Sequence, residues 1–173
     1  KDRKNPSHGT WCETYLANKE NLDYCKRFNK KLTNDNIIGY YIIYSDYVKK
    51  DPIYNNGLLV FYNHTWAGSN YGKDEIKKHE KYINDIKKLE KQFSPIHVIL
   101  YYKDYNNKKL TDILKKNKLN YITNGPTNNS EFYKILAENI QKYRYCTSSI
   151  IGTHVWCCLS LNRYFFIYGD GEP

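Results

Sequence analysis

The chain has 173 residues, which is enough for one sizeable hydrophobic core or for one domain with part of another. Its 27 lysines and arginines exceed its 18 acidic residues and give a formal net charge of +9 at pH 7. The lysines between positions 73 and 91 alternate with acidic residues and no coherent basic stripe is visible, so we predict no specific nucleic-acid partner. The basic excess suits anionic substrates and an anionic membrane surface equally.

No run of residues approaches the ~18 apolar positions of a membrane span, and no secretory signal stands at the start. Methionine is absent even from position 1, so we expect a processed chain or a fragment. The cysteines are odd in number and lack metal-ligand spacing, which favours free thiols in a reducing compartment. We therefore predict a cytoplasmic protein, and its charge is compatible with peripheral contact at the inner, anionic face of a membrane.

Residues 1–57 show no clean hydrophobic period, and the turn residues at 51–52 and 55–57 indicate a boundary. We therefore predict an N-terminal segment, 1–57, followed by a domain at 58–173. Within that domain, short apolar runs predict strands at 58–62, 96–102, 120–123, 143–147 and 164–168. Helical spacing between them predicts helices at 73–93 and 109–117, a helix capped by Ser130 and a short helix after Gly152. This alternation predicts an α/β fold, a Rossmann-like parallel sheet with helices on both faces.

The first candidate site is the loop at 63–72, which follows the first predicted strand and precedes the longest predicted helix. It contains His64, Thr65 and Ser69 and has two glycines near the helix N-terminus, which favours an anionic ligand. His64 has the chemistry of a catalytic acid or base, or of a hydrogen-bond donor to phosphate. The alternative is a long surface loop whose Trp66 packs on the sheet edge. The loop matches neither the P-loop nor the GxGxxG pattern.

The second candidate site comprises Ser148, Ser149, Gly152, Thr153 and His154. These residues follow a predicted strand and open a short helix, where a glycine allows the backbone to approach a ligand closely. Hydroxyl groups beside a helix N-terminus suit a phosphate or a sugar. The alternative role of Ser149 or Thr153 is to cap the helix. A nucleophilic serine is not indicated, because the G-x-S-x-G turn is absent.

The sequence pattern around the remaining histidines and carboxylates does not point to one particular role. His8 precedes a glycine and an aromatic residue, a pattern that fits either a cleft at a domain junction or an ordinary loop. We expect His79 to be solvated on a charged helix and His97 to be structural within a strand. Asp104 and Asp170 lie beyond strand ends, where turn and cap roles compete with contacts to sugar hydroxyls. No metal-ligand spacing is present, so we predict no metal site and no cofactor.

The segment 57–173 resembles the C-terminal, donor-binding half of GT-B glycosyltransferases and related bacterial polysaccharide-biosynthesis proteins. The likeness rests on residues 61–65, a strand followed by a His-Thr loop, and on residues 147–154, which contain Ser-x-x-Gly-Thr-His before a short helix. In addition, His8 and the glycine after it are similar to the His-Gly of polyol-phosphate and sugar transferases, at the edge of their acceptor domain. The likeness is one of pattern, without a diagnostic signature.

The resemblance implies transfer of a sugar or sugar-like group from a nucleotide-activated donor during surface polysaccharide synthesis. His64 and His8 would act in catalysis, and the hydroxyls of both candidate sites would hold the donor without a bound metal. Residues 1–57 would be the remnant or edge of an acceptor domain. The same fold also serves sugar-nucleotide epimerases and hydrolases, and a non-enzymatic binding domain is a further alternative. The donor base, the acceptor and the oligomeric state are left open.

Overall fold

The computed structural model describes residues 55–63 and 72–170. Its strands are β1 (Asn55–Phe61), β2 (Ile96–Leu100), β3 (Asn120–Thr123), β4 (Tyr143–Ser148) and β5 (Tyr164–Ile167). Its helices are α1 (Lys73–Lys88), α2 (Tyr102–Tyr105), α3 (Lys108–Lys116), α4 (Phe132–Gln141) and α5 (Thr153–Ser160). A 3-10 turn at Leu89–Lys91 continues α1. Most of the predicted N-terminal segment lies outside the described residues, so the division at 57 stays a prediction.

The strands form one five-stranded sheet in the order β3-β2-β1-β4-β5, and every neighbouring pair is parallel. Val60 at the centre of β1 pairs with Val98 of β2 on one side and with Thr147 of β4 on the other. The predicted Rossmann-like parallel sheet is thus confirmed. The chain builds outward from β1 to β3 and then returns to place β4 beside β1. The strand order therefore reverses between β1 and β4, and in open α/β sheets ligands bind at such a switch point.

Helices cover both faces of the sheet, as the alternation of elements predicts. Because β1 is buried on both faces, its consecutive side chains enter two different cores. One core lies under α1 and α3 and includes Leu58, Val60, Ile83, Ile86, Leu110 and Leu114. The other lies under α4 and α5 and includes Leu59, Phe61, Leu136, Ile140 and Cys157. These two cores fix the positions of the helix ends that border the carboxyl edge of the sheet.

The helix starts show where local hydrogen bonding differs from the sequence prediction. Asn107 caps α3, and its Oδ1 accepts hydrogen bonds from the backbone N–H groups of Lys109 and Leu110. For α4 the predicted cap, Ser130, is wrong: the helix begins after Glu131, which makes no side-chain cap bond. Asn129 Oδ1 instead accepts the Glu131 N–H at 3.0 Å, in the manner of an Asx turn that competes with capping.

The prediction of a solvated His79 is also wrong. This side chain is 2% exposed and its Nδ1 lies 2.6 Å from the hydroxyl oxygen of Tyr62. Burial lowers the pKa of His79, while the nearby carboxylates of Glu75 and Asp104 oppose that shift. Asp104 is itself 2% exposed and lies in the short helix α2 that follows β2.

Three of the predicted free thiols are described, and all three are buried without a disulfide: Cys146, Cys157 and Cys158. Cys12 and Cys25 lie outside the described residues. Among the helices of the described ranges, none has both the length and the apolar character needed to cross a membrane.

Candidate functional site

A cavity of about 440 Å³ lies at the carboxyl ends of β1, β2 and β3. Small-molecule sites in proteins occupy roughly 300–1,000 Å³, so this volume accommodates a nucleotide-sized ligand. We call it the crevice. Its described lining is largely aromatic or apolar, with Phe61, Ile99, Tyr101, Phe132, Tyr133, Leu136 and Ile150 among its members. Polar groups lie between them, including Asn63, Asn124, Thr127, Thr153 and His154. The described lining contains no lysine, arginine, aspartate or glutamate, and His154 is charged only when its ring is protonated.

The loop after β3 contributes a buried polar side chain, that of Asn124, to the crevice. Asn124 is 6% exposed, and its Oδ1 accepts a 2.9 Å hydrogen bond from Nδ2 of Asn139 in α4. The turn that follows uses Gly125 at a φ of +78°, a left-handed conformation that favours glycine. Thr123 Oγ1 accepts the Gly125 N–H at 3.1 Å and fixes the turn. Asn124 therefore lies in the crevice wall in a single, supported position.

Ser148 and His154, two residues of the second candidate site, come together at the end of β4. His154 Nε2 lies 2.8 Å from Ser148 Oγ and 3.3 Å from the carbonyl oxygen of Ile150. The Ile150 carbonyl can only accept a hydrogen bond, so its contact with Nε2 favours the neutral tautomer that carries the proton on Nε2. Ser148 Oγ also accepts a hydrogen bond from the backbone N–H of Ile150. Ser148 is fully buried, so it supports the histidine and is not exposed for attack on a substrate.

The His154 ring is held by packing as well as by hydrogen bonds. It stacks on Phe61 with ring centroids 4.9 Å apart and an interplanar angle of 17°, and Phe165 lies at 5.8 Å. A Cβ on Gly152 would lie only 2.9 Å from His154 Cε1, so the glycine is required for this close approach. Burial lowers the pKa of His154, and the neighbouring Ile150 carbonyl opposes the shift. The neutral ring is therefore the favoured form near pH 7.

The other residues of the second candidate site divide between the crevice and the interior. Gly152 is the N-cap residue of α5 and makes no side-chain cap bond, so neither Ser149 nor Thr153 caps this helix. Thr153 is exposed and lines the crevice. Ser149 is 4% exposed and is not part of the described lining; its Cβ faces Gly169 after β5. Of the predicted hydroxyls that fall within the described residues, Thr153 is the one placed at the crevice surface.

Two of the helix N-termini at this edge of the sheet, those of α5 and α1, differ in charge. The first turn of α5 contains no acidic residue, so its backbone N–H groups and the helix dipole favour an anion. The first turn of α1 contains Asp74 and Glu75, whose charges oppose a second anion there. The loop before α1, with His64, Thr65 and Ser69, lies outside the described residues, as does His8. Their predicted roles stay predictions.

Two aromatic residues of the crevice, Tyr101 and Tyr133, were not anticipated from the sequence. Tyr101 follows β2 and Tyr133 lies in the first turn of α4, so they become neighbours of one cavity only through the strand order. Tyr101 was included in the predicted strand 96–102, whereas the observed strand ends at Leu100, so the sequence pattern carried no signal that placed this ring at a ligand site. Within the described ranges, no group of three or more His, Cys, Asp or Glu side chains is arranged to hold a metal ion.

Comparison of the chain with protein-family models, with curated proteins and with solved structures found no match in any of the three. The fold and the crevice are therefore the basis on which a function is assigned.

Proposed function

We propose that the crevice binds a nucleotide-activated sugar and that this domain serves glycosyltransferase-type transfer in surface polysaccharide synthesis. The observation that carries the proposal is the coincidence of the switch point with a cavity of about 440 Å³. Ligands of open α/β sheets bind at that point, outside the carboxyl ends of the strands. The resemblance of residues 147–154 to the donor-binding segment of GT-B enzymes supports the same assignment.

The chemistry of the crevice suits the parts of such a donor. Tyr101 and Tyr133 offer rings for a nucleobase, and Asn124 offers an amide for its polar edge or for ribose. The diphosphate would lie at the N-terminus of α5, where Thr153 adds a hydroxyl. Stabilisation of the departing diphosphate by these amides would be the main catalytic contribution. His154 would shape this end of the crevice, because its Nε2–H is already used by Ser148 and Ile150.

A second candidate function is donor binding without turnover by this chain alone. The observation that favours it is the absence of a carboxylate from the described lining of the crevice, since a transfer or hydrolysis step needs a base. On the first proposal that base comes from His64 or His8. Product analysis separates the two functions and also detects an epimerase or a hydrolase on the same fold.

The test is thermal unfolding of the chain with UDP, CDP, GDP, ADP and their sugar conjugates. A ligand at 100 times its dissociation constant stabilises the folded state by about 2.7 kcal/mol. We expect one nucleotide to raise the melting temperature, and Tyr133→Ala to weaken its binding roughly tenfold, because stacking on a base contributes about 1–3 kcal/mol. Tyr105→Ala is the matched control: Tyr105 is 39% exposed and Tyr133 40%, but Tyr105 does not line the crevice.

Two results would contradict the proposal. One is a well-folded chain that no nucleotide or sugar nucleotide stabilises. The other is stabilisation that Tyr133→Ala and Thr153→Val leave unchanged. Ser160→Ala is the control for Thr153→Val, because Ser160 is an exposed hydroxyl at the opposite end of α5.

We also propose a cytoplasmic location with peripheral contact at an anionic membrane surface. The support is the net charge of +9, which attracts the chain to anionic lipid by about 1 kcal/mol for each basic residue near the surface. Sedimentation with vesicles containing phosphatidylglycerol tests it. If the chain bound these vesicles no better than vesicles of pure phosphatidylcholine, the proposed contact with an anionic membrane would be contradicted.

A further inference from the structure

A second cavity lies at the opposite edge of the sheet from the crevice. It has a volume of about 530 Å³ and is lined by His97 of β2, by Lys115 and Lys118 around the end of α3, and by Asn120 and Tyr121 of β3. His97 and Asn120 are paired neighbours near the amino ends of their strands. We call this the amino-end cavity. It shares no described lining residue with the crevice.

The side chains of the amino-end cavity supply positive charge and hydrogen-bond donors. Lys115 and Lys118 are exposed, and no salt bridge among the described residues involves either one. The described lining contains no acidic residue. Lys142 adds to the positive field, since it is the charged neighbour that helps lower the pKa of His97. A ligand that fits this set of groups must be an anion that accepts hydrogen bonds.

Helix geometry explains only part of this arrangement. Lysines in the last turn of α3 interact favourably with the helix dipole, and this accounts for Lys115 and Lys116. It does not account for Lys118, which follows the helix at a φ of +55°, where glycine or asparagine is the usual residue. Lys115, Lys116 and Lys118 are close in sequence and repel one another, and an anion between Lys115 and Lys118 would relieve that repulsion.

His97 provides an independent observation at the same cavity. The Nδ1 atom of His97 is buried and has no hydrogen-bond partner in the described part of the chain. The Nε2 atom is not among the buried atoms that lack a partner. A buried N–H without a partner is costlier than a buried lone pair, so the neutral ring is expected to carry its proton on Nε2. That N–H is then available as a hydrogen-bond donor in a cavity that Lys115 and Lys118 also line. The ring itself is held against Tyr143 at a centroid distance of 5.5 Å.

We propose that the amino-end cavity is a binding site for a phosphate or phosphate monoester group, held by Lys115, Lys118 and His97 and separate from the crevice. Lysine ammonium groups are effective point charges for phosphate, and the imidazole N–H adds direction. The phosphate group could belong to a soluble molecule or to a lipid headgroup, since both present the same oxygens.

The experiment measures binding to the full chain by calorimetry with inorganic phosphate and with glycerol 3-phosphate. Sedimentation with phosphatidylcholine vesicles, with and without phosphatidic acid, tests the lipid source. The site variant is Lys115→Gln with Lys118→Asn, because asparagine tolerates the left-handed backbone. The control variant, Lys108→Gln with Lys116→Gln, removes the same charge from lysines of α3 outside the cavity lining. Unfolding curves of both variants establish that they are folded.

We expect the site variant to lose roughly tenfold or more in affinity, because it removes two charge-assisted contacts, while the control loses far less. In the unaltered chain, phosphate should also raise the pKa of His97, followed by its ring proton resonance. If the soluble phosphates bind and the site variant loses more affinity than the control, the ligand is a soluble phosphate. If only vesicles with phosphatidic acid bind and the site variant again loses more than the control, the ligand is a lipid headgroup. Absence of binding in all arms, or equal losses in the site and control variants, would overturn the proposal.

Discussion

The two edges of the sheet present different chemistry. At the carboxyl edge, the described lining of the crevice is aromatic and amide-rich and carries no lysine, arginine or carboxylate. At the amino edge, the lining of the second cavity includes Lys115 and Lys118 with no acidic partner. The positive charges that give the chain its net charge of +9 are therefore absent from the described lining of the crevice. On our proposal, an anionic donor in the crevice would be recognised by shape, stacking and backbone amides, whereas Lys115 and Lys118 line the other cavity.

The difference follows from the direction of the chain in a parallel sheet. Each helix runs back against its strands, so helix N-termini point to the carboxyl edge and helix C-termini to the amino edge. Lysines are favoured at the C-termini by the helix dipole, as in Lys87 and Lys88 of α1 and Lys115 and Lys116 of α3. Free amides collect at the other edge, where the first turn of α5 has no acidic side chain.

The largest effect is expected where the carboxyl edge is held rigid. Gly169 follows β5 with a φ of +114°, and a Cβ there would lie 2.7 Å from Tyr82 Cε2. Gly169→Ala should therefore lower the free energy of unfolding by about 2–4 kcal/mol, through backbone strain and overpacking. Urea unfolding measures this. Gly72→Ala is the control, because nothing lies within 4 Å of a Cβ at Gly72. Equal losses in both variants would contradict a rigid carboxyl edge.

Acid should destabilise both edges. Burial lowers the pKa values of His79, His97 and His154, so the unfolded chain binds protons that the folded chain does not. The stability contributed by the neutral rings is complete above the unfolded pKa of about 6.5 and is lost as the pH falls below it. Each ring contributes at most about 1.4 kcal/mol per pH unit to this loss.

Urea unfolding at about pH 7 and about pH 5 measures the effect. His79→Gln should reduce the pH dependence, since His79 is nearly fully buried in the native chain. Stability that is unchanged or higher at the acid pH would contradict the assignment of neutral histidines.

Salt should separate the two binding sites. Phosphate affinity at the amino-end cavity should fall steeply with added salt, because exposed charges are screened over a Debye length of about 10 Å at 0.1 M. Nucleotide affinity at the crevice should fall less, since its described lining carries no lysine or arginine. Titrations at two ionic strengths measure both slopes. If both affinities fell equally with salt concentration, the proposed difference in charge between the two binding sites would be contradicted.

The smallest effect is expected at an exposed ion pair. Lys81 and Asp170 form a salt bridge beside the carboxyl edge, and their side chains are 68% and 76% exposed. Such pairs contribute little, because water screens the charges and the long side chain loses freedom. Lys81→Ala should leave the melting temperature unchanged within error. A clear loss would mean that this pair, rather than the packing at Gly169, fixes the end of β5.

Much of this fold is predictable from the sequence, because buried parallel strands appear as short apolar runs between amphipathic helices. The burial of His79 was also predictable: Ile76, His79, Ile83 and Ile86 follow one helical face, although the charged residues around His79 obscured it. The strand order was not predictable, because the apolar runs do not show which strands are neighbours. Without that order, Tyr101 and Tyr133 could not be assigned to one crevice.

The 148–154 segment shows the same limit at the level of single atoms. Its sequence places Ser148 and His154 at opposite ends of a turn, and the structure brings both to the crevice end of β4. Their hydrogen bond depends on a close approach over Gly152 and on stacking against Phe61. Those contacts join separate parts of the chain, so sequence spacing gave the candidates but not the buried, supporting role of Ser148.

The most direct test of the central claim is hydrogen exchange of the backbone amides with and without the nucleotide that stabilises the chain most. We expect slower exchange in the first turn of α5 and around Asn124, with no change around Lys115 and Lys118. A control with inorganic phosphate should give the opposite pattern. Protection by the nucleotide at the amino-end cavity alone, or at neither edge, would contradict the assignment of the crevice as the donor site.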